Sequence, residues 1–501
     1  MIRRRASGIL LHVSSLPSAH GVGDLGPQTY AWIDFLVEAG QSFWQVLPLG
    51  PTTAGGHHSP YRAASAFGGN PLFISPAALR DQGLLTDDDL RGFPALPRDR
   101  VDYPEAAAHK RRLLDLAYDR FAARAGTGAV AFNTFCERNA SWLDDYALFA
   151  ALREGHGTEE WTEWPPPLRD REPAGLEAAR AELGREIERE KFFQYLFFEQ
   201  WLRLKGYANA RGVQIIGDLP FYAGRDSADV WANPSLFKLD EAKRPTVVAG
   251  VPPDAFSATG QLWGNPIYDW EAHGRTGYQW WIARTRKTLE LVDVARIDHF
   301  RGFAAHWEVP ASDETAAAGT WVDGPGDAFF QALLKHWPFP PLVAEDLGLI
   351  TADVRELRAR YDLPGMTVLL FAFDGEGASN PYALHNHRPD AVLYTGTHDN
   401  NTVRGWFESE ATAEQKERLA AYLGVAPSAT TVHWDLIRVA MVSVCALAII
   451  PMQDALGLDG SARMNRPAAA DGNWEWRLQP GQATPDLAAR LASLARTYGR
   501  A

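Results

Sequence analysis

Eight short, continuously apolar runs bounded by turn residues punctuate this chain: Gly8 to Val13, Phe43 to Leu47, Val213 to Ile216, Val292 to Ile297, Leu342 to Ala344, Met366 to Phe373, Ala391 to Tyr394 and Ala446 to Ile450. A strand with one wet face alternates apolar and polar residues, whereas a continuous run is covered on both faces, as in a parallel sheet flanked by helices. Amphipathic segments separate several of the runs, for example Tyr30, Ile33, Leu36 and Val37 at helical spacing ahead of Gly40 as a C-cap. An open doubly wound sheet is the competing architecture, but no glycine fingerprint follows the first run, and eight β-then-α units match a closed barrel. The expected fold class is therefore α/β, a (β/α)8 TIM barrel with inserted subdomains in the loops at its C-terminal face.

A chain of 501 residues is long for one barrel, but such barrels accept insertions. Residues 1–501 read as a single catalytic barrel, with a mainly helical insertion at 76–212 between strands 2 and 3 and a second insertion at 222–290 between strands 3 and 4. Within the first, Phe192-Phe193-Gln194-Tyr195-Leu196-Phe197-Phe198 reads as helix core, since such aromatic density in a helix is usually buried. Residues 164 to 174 read as an exposed loop.

Composition removes several classes of partner. The formal charge of −13 is spread along the chain without a Lys/Arg stripe, so neither nucleic acid nor an anionic membrane is expected. Only Cys136 and Cys445 are present, without metal-ligand spacing, which argues against a disulfide scaffold and a zinc site and for a reducing cytoplasm. After Met1-Ile2-Arg3-Arg4-Arg5 the apolar run is cut by His12, so it reads as a buried strand rather than a secretion signal. The longest apolar stretch, Val439 to Ile450, falls short of the ~20 residues that span a bilayer.

Polar residues follow the runs: Ser14-Ser15, Pro48, Asp218, Asp298, Glu345, Asp374, His398-Asp399 and Gln453-Asp454. Barrels carry their chemistry at that end of the strands. An ionised carboxylate taken out of water costs several kcal/mol unless it is paired, so carboxylates gathered there point to a shared polar mouth. Retaining cleavage of a glycosidic bond needs one carboxylate to attack the anomeric carbon and a second carboxyl to protonate the departing oxygen, the two about 5 Å apart. Asp298 and Glu345, at the ends of the neighbouring fourth and fifth strands, suit this pair, with Asp399 approaching from the seventh. Arg296, two residues before Asp298, shares its side of the strand and would keep it ionised. Taken singly, each Asp is an ordinary turn former or helix cap and Arg296 an ordinary ion-pair partner.

The stretches Arg-Ile-Asp-His-Phe-Arg-Gly-Phe (296–303), Ala-Glu-Asp-Leu-Gly (344–348) and Tyr-Thr-Gly-Thr-His-Asp-Asn-Asn-Thr (394–402) resemble the signatures of the 4-alpha-glucanotransferases called amylomaltases, glycoside hydrolase family 77 of the alpha-amylase clan. The resemblance extends to 12–17, 59–61, 217–221, 251–254 and 463–465, nearly the whole chain. It implies that Asp298 is the nucleophile, Glu345 the general acid and then base, and Asp399 the stabiliser of the oxocarbenium-like transition state. Asp218, Arg296 and His398 match positions that hold the sugar at the cleavage point, and Ser59, Tyr61, Trp263 and Asn465 match neighbouring subsites. Packing is the ordinary alternative for Tyr61 and Trp263. The negative charges of Asp298 and Asp399 would raise the pKa of Glu345.

Residues 249–264 resemble the loop that arches over the amylomaltase cleft. Two places depart from the family pattern: Ala255, where an aromatic residue is expected, and Arg466-Pro467-Ala468. They bear on acceptor preference and loop behaviour, not on reaction class. No metal and no organic cofactor is implied. The implied substrates are maltodextrin and starch- or glycogen-derived alpha-1,4-glucans, with glucose as an acceptor. The alternatives are an alpha-glucan hydrolase with the same residues, a glucan-binding protein without turnover, and a metal-dependent hydrolase using His12, Asp218, His299, His398 and Asp399. The last lacks His-x-His or His-Glu-x-x-His spacing.

Overall fold

The computed structural model describes residues 4–124, 127–253, 257–375, 377–467 and 469–501. Among them twelve strands occur in chain order: β1 Ala6–Leu10, β2 Phe43–Gln45, β3 Gln214–Leu219, β4 Val247–Val251, β5 Gln261–Pro266, β6 Val294–Ile297, β7 Ala305–Pro310, β8 Thr320–Asp323, β9 Leu342–Ala344, β10 Gly365–Val368, β11 Ala391–Tyr394 and β12 Leu447–Pro451. Eight of them, in the order β10-β11-β12-β1-β2-β3-β6-β9, form one all-parallel sheet. The Ala344 N–H donates to the Pro364 carbonyl at 2.8 Å beside the two end strands, bringing the sheet round into a (β/α)8 barrel.

All eight barrel strands coincide with apolar runs of the sequence, although three runs outlast their strands, that of β2 through the buried Val46 and Leu47. β10 stops at Val368, and the buried Leu369 and Leu370 continue in a 3-10 turn, Leu369–Phe371; β1 stops at Leu10, and Val13 begins the turn Val13–Ser15. At β10 and β1 apolar continuity reports burial rather than extended backbone.

Strand periodicity divides the barrel's two faces. Inside, the Tyr394 hydroxyl donates to Gln45 Oε1 across the barrel at 2.9 Å. Outside, Trp44 meets Trp201 of helix Gly184–Ala210, ring centroids 6.0 Å apart. Gly217 faces outward on β3, opposite to its neighbour Asp218 by strand alternation, and glycine is needed there because a Cβ would lie 2.6 Å from Val292 Cγ1.

The connection from β2 to β3 carries the long helices Tyr103–Ala122, Thr127–His156 and Gly184–Ala210. The aromatic run is core, as read from the sequence: Phe192, Phe193, Leu196, Phe197 and Phe198 are buried, with Phe192 stacked on Phe121 at 4.4 Å. Residues 164 to 174 are largely exposed, as read from the sequence, but they are not a loop. Trp164 is buried against Phe149 and Trp231, and the prolines that suggested a loop sit at the starts of helices Pro166–Arg169 and Pro173–Glu182, where a missing N–H costs nothing.

A second sheet, antiparallel with the order β5-β4-β7-β8, was not anticipated. It draws β4 and β5 from the connection between β3 and β6, and β7 and β8 from the connection between β6 and β9, joining two excursions into one support beside the mouth. No helix among the described residues is long and apolar enough to cross a membrane.

Candidate active site

The register of β3 against β6 places Asp218 opposite Arg296. Both side chains point into the barrel, and Arg296 Nη1 meets Asp218 Oδ2 at 2.6 Å. Two residues further along the same face, Asp298 Oδ1 lies 3.0 Å from Arg296 Nη2. One buried guanidinium thus bridges two carboxylates, and its Nε rests 3.4 Å from Met366 Sδ on β10. The Asp298 side chain is 28% exposed, open toward the mouth, while that of Asp218 is fully buried. Burial pushes the Asp218 carboxyl up, against the pull of Arg296. Its Oδ1 has no protein partner.

Tyr61 ties this cluster to the other side of the mouth. Its hydroxyl stands 2.9 Å from Asp218 Oδ2 and 2.8 Å from His398 Nε2, so it bridges an acid and an imidazole. Ser59 accepts from the Tyr61 N–H at 3.3 Å and caps the turn Pro60–Arg62, which makes it a support for Tyr61. Burial lowers the pKa of His398, so its ring is neutral, and its Nε2 lies 3.3 Å from Asp399 Oδ2. Asn465 Nδ2 donates to Asp399 Oδ1 at 2.7 Å, and Arg463 Nη2 donates to the Asp399 carbonyl at 2.6 Å.

Glu345 enters from the end of β9. Its Oε2 accepts from the His299 N–H at 2.8 Å and its Oε1 from the Leu347 N–H at 2.9 Å. Burial lifts its pKa to about 7, opposed by Arg296 and assisted by Asp298. The charge of Asp298, one of the two to which the sequence reading assigned this rise, is secondary to desolvation. Trp263 on β5 stands edge-on to the His299 ring, centroids 4.9 Å apart.

Asp218, Arg296, Asp298, Tyr61, His398, Asp399 and Asn465 therefore form one contiguous network. Glu345 and Trp263 join it through His299. His299 itself, with a left-handed φ of 50°, turns its N–H onto Glu345. A main-chain donor leaves no side-chain signature, and the sequence reading named His299 only as a ligand in the metal-dependent alternative. Arg463 appeared in the motifs but received no role. Ala255, Asp254 and Ala468 lie outside the described residues, so the two departures from the family pattern are met only at Arg466 and Pro467. Among the described residues no group of three or more His, Cys, Asp and Glu side chains is arranged to hold a metal ion.

The Tyr61 bridge has a measurable consequence. A hydrogen bond to a charged group contributes about 1.5–3 kcal/mol. Tyr61→Phe keeps the ring packing but deletes the bridge, and is expected to lower kcat/KM for glucan transfer by about tenfold or more, since 1.36 kcal/mol is a factor of ten. Steady-state kinetics on maltotriose check this, and an unchanged kcat/KM would mean that the bridge is idle.

A barrel whose mouth holds an arginine-bridged pair of aspartates, a partly buried high-pKa glutamate on the adjoining strand and a third, half-exposed aspartate belongs to the class of carbohydrate-active (β/α)8 enzymes that work with paired carboxylates. A family model described as 4-alpha-glucanotransferase matches residues 11–484. The 4-alpha-glucanotransferase of Thermus thermophilus is 48% identical over 503 residues, 99% of each chain, and that of Synechocystis sp. is 47% identical over 504 residues, 100% of this chain and 99% of the other. A solved amylomaltase from Streptococcus agalactiae, in complex with acarbose, matches with a TM-score of 0.96 at 37% identity, covering 99% of this chain and 100% of that one. The chain belongs to the 4-alpha-glucanotransferase family. It is an enzyme that moves a segment of an alpha-1,4-glucan to an acceptor sugar by retaining double displacement.

Proposed function

We propose that Asp298 is the nucleophile of this transfer, Glu345 its general acid and base, and Asp399 the group that holds sugar hydroxyls and stabilises positive charge at the anomeric carbon. The observation that carries this reading is the different setting of the two principal carboxyls: Asp298 half-open and paired with Arg296, Glu345 partly buried, held by two main-chain N–H groups and pushed up by desolvation to about 7. In the first step the Asp298 carboxylate bonds to the anomeric carbon while the Glu345 proton passes to the leaving 4-oxygen. In the second, ionised Glu345 takes the proton of an incoming 4-hydroxyl, whose oxygen displaces Asp298. Asp218, Arg296, Tyr61 and His398 hold the sugar at the cleavage point; Ser59, Trp263 and Asn465 serve the adjoining subsites.

The proposed donors are maltodextrins and starch- or glycogen-derived glucans, with glucose among the acceptors and no nucleic acid or membrane partner. The proposed setting is the cytoplasm, which suits the free thiols Cys136 and Cys445. The proposed organisation is one catalytic barrel, with insertions at 76–212 and 222–290 and the described residues of 249–264, 249–253 and 257–264, beside the cleft. Incubation with maltotriose tests the substrate reading: glucose plus a ladder of longer maltodextrins at constant total reducing ends is expected. Rising reducing ends with only shorter products would mean that water outcompetes the acceptor.

A further inference from the structure

Three residues beyond Asp298, in the turn Phe300–Phe303, sits a cation that the chemistry above leaves unused. Arg301 is 7% exposed. Its Nη1 donates to the Leu349 carbonyl, its Nε to the Ala305 carbonyl at 3.5 Å, and its guanidinium carbon lies 3.8 Å over the ring centroid of Trp321 on β8. Leu349 closes the short segment after Glu345 whose Leu347 N–H donates to Glu345 Oε1. The other donor to this carboxyl, the His299 N–H, lies two residues before Arg301. Side-chain packing does little to fix the segment between: Gly348 takes a left-handed φ of 81° with open space around it, and Leu349 is 65% exposed.

We propose that Arg301 is a positioning residue for Glu345, clamping together the two main-chain segments that supply both of that carboxyl's hydrogen-bond donors, with Trp321 holding the clamp against the antiparallel sheet. A planar guanidinium suits the task, since it stacks on an aromatic face while its edge reaches carbonyls in fixed directions, which a lysine ammonium does not do. The stack joins the Glu345 segment to the rigid sheet that also bears β4 and β5. The inference rests on the reading of Glu345 as acid and base.

The consequence is a coupled change in rate and proton affinity. The charged groups facing Glu345 are Arg296 and Asp298; the titratable groups facing Arg301 are Asp353, the Tyr222 phenol and the His299 ring. Both main-chain donors favour the ionised form of Glu345, so loosening them raises its proton affinity and moves the basic limb of kcat/KM to higher pH. Misplacing a catalytic group by about 1 Å costs up to roughly 100-fold.

The test compares Arg301→Lys and Trp321→Ala with the wild-type protein on maltotriose, with pH profiles and thermal unfolding, alongside Glu345→Gln. Arg301→Lys is expected to lower kcat about tenfold or more with KM little changed and the basic limb displaced upward. Trp321→Ala is expected to change both in the same direction by less. Wild-type kcat and limb in Arg301→Lys, or in Trp321→Ala should the lysine variant not fold, would overturn the clamp. So would a loss of activity that follows a lowered Tm with an unmoved limb, which marks a purely structural role. Full turnover in Glu345→Gln would instead bring down the assignment of Glu345, and the clamp with it.

Discussion

Replacing Asp298 with alanine is expected to reduce maltotriose disproportionation by on the order of 10⁴-fold or more, because removal of a covalent nucleophile leaves only the binding contribution to catalysis. Substrate affinity should change little, since Asp218, Arg296, Tyr61 and His398 keep their mutual contacts without it. Arg296 retains Asp218 as a partner, so the variant should fold, and titration calorimetry with maltoheptaose can be set beside the kinetics. Chemical rescue sharpens the result. Azide entering the vacated space should attack the anomeric carbon of α-maltosyl fluoride, expelling fluoride and giving the β-maltosyl azide. Unimpaired turnover by Asp298→Ala would refute the nucleophile assignment, and binding lost together with turnover would make Asp298 a substrate-holding residue.

The barrel was legible because burial on both faces writes itself into sequence as unbroken apolar runs, and eight such runs leave few alternatives. Legible too was the meeting of Arg296 with Asp298, since period-two alternation puts residues two apart on one face. The antiparallel sheet was hidden for the opposite reason. Its central pairing sets Val247 against Pro310, strands from two different connections, and nothing local specifies a partner so distant in the chain. The prolines of 165–173 misled because proline both breaks helices and begins them, and only the buried Trp164 tells which. Least legible were the donors to Glu345. They are main-chain N–H groups, one of them aimed by a left-handed histidine, a conformation that residue identity rarely announces.

Glu345→Gln should separate the two steps of the reaction. With a glucan donor the loss should be about 10²–10⁴-fold, the usual contribution of a positioned general acid. With α-maltosyl fluoride, whose leaving group departs without a proton, formation of the Asp298 ester should survive, and the defect should move to the second step, where an acceptor hydroxyl must be deprotonated. The pH profile follows from the direction of the shift. With its pKa raised from the ordinary 4.5 to about 7, the wild-type carboxyl holds its proton up to near neutrality, so kcat/KM should fall as pH rises through about 7, and the glutamine variant should lack that limb. The same shift makes a stability statement of opposite convenience. A raised carboxyl pKa contributes stability that is fully present below about 4.5 and is lost as pH rises through about 7, because the folded protein must then hold a desolvated charge. Glu345→Gln removes that charge while keeping the shape. Denaturant unfolding of the two proteins should therefore show a difference that moves in favour of the variant between pH 4.5 and 7 and stays constant above. An invariant difference across that range would place the titration elsewhere and leave Glu345 without the proton its role requires.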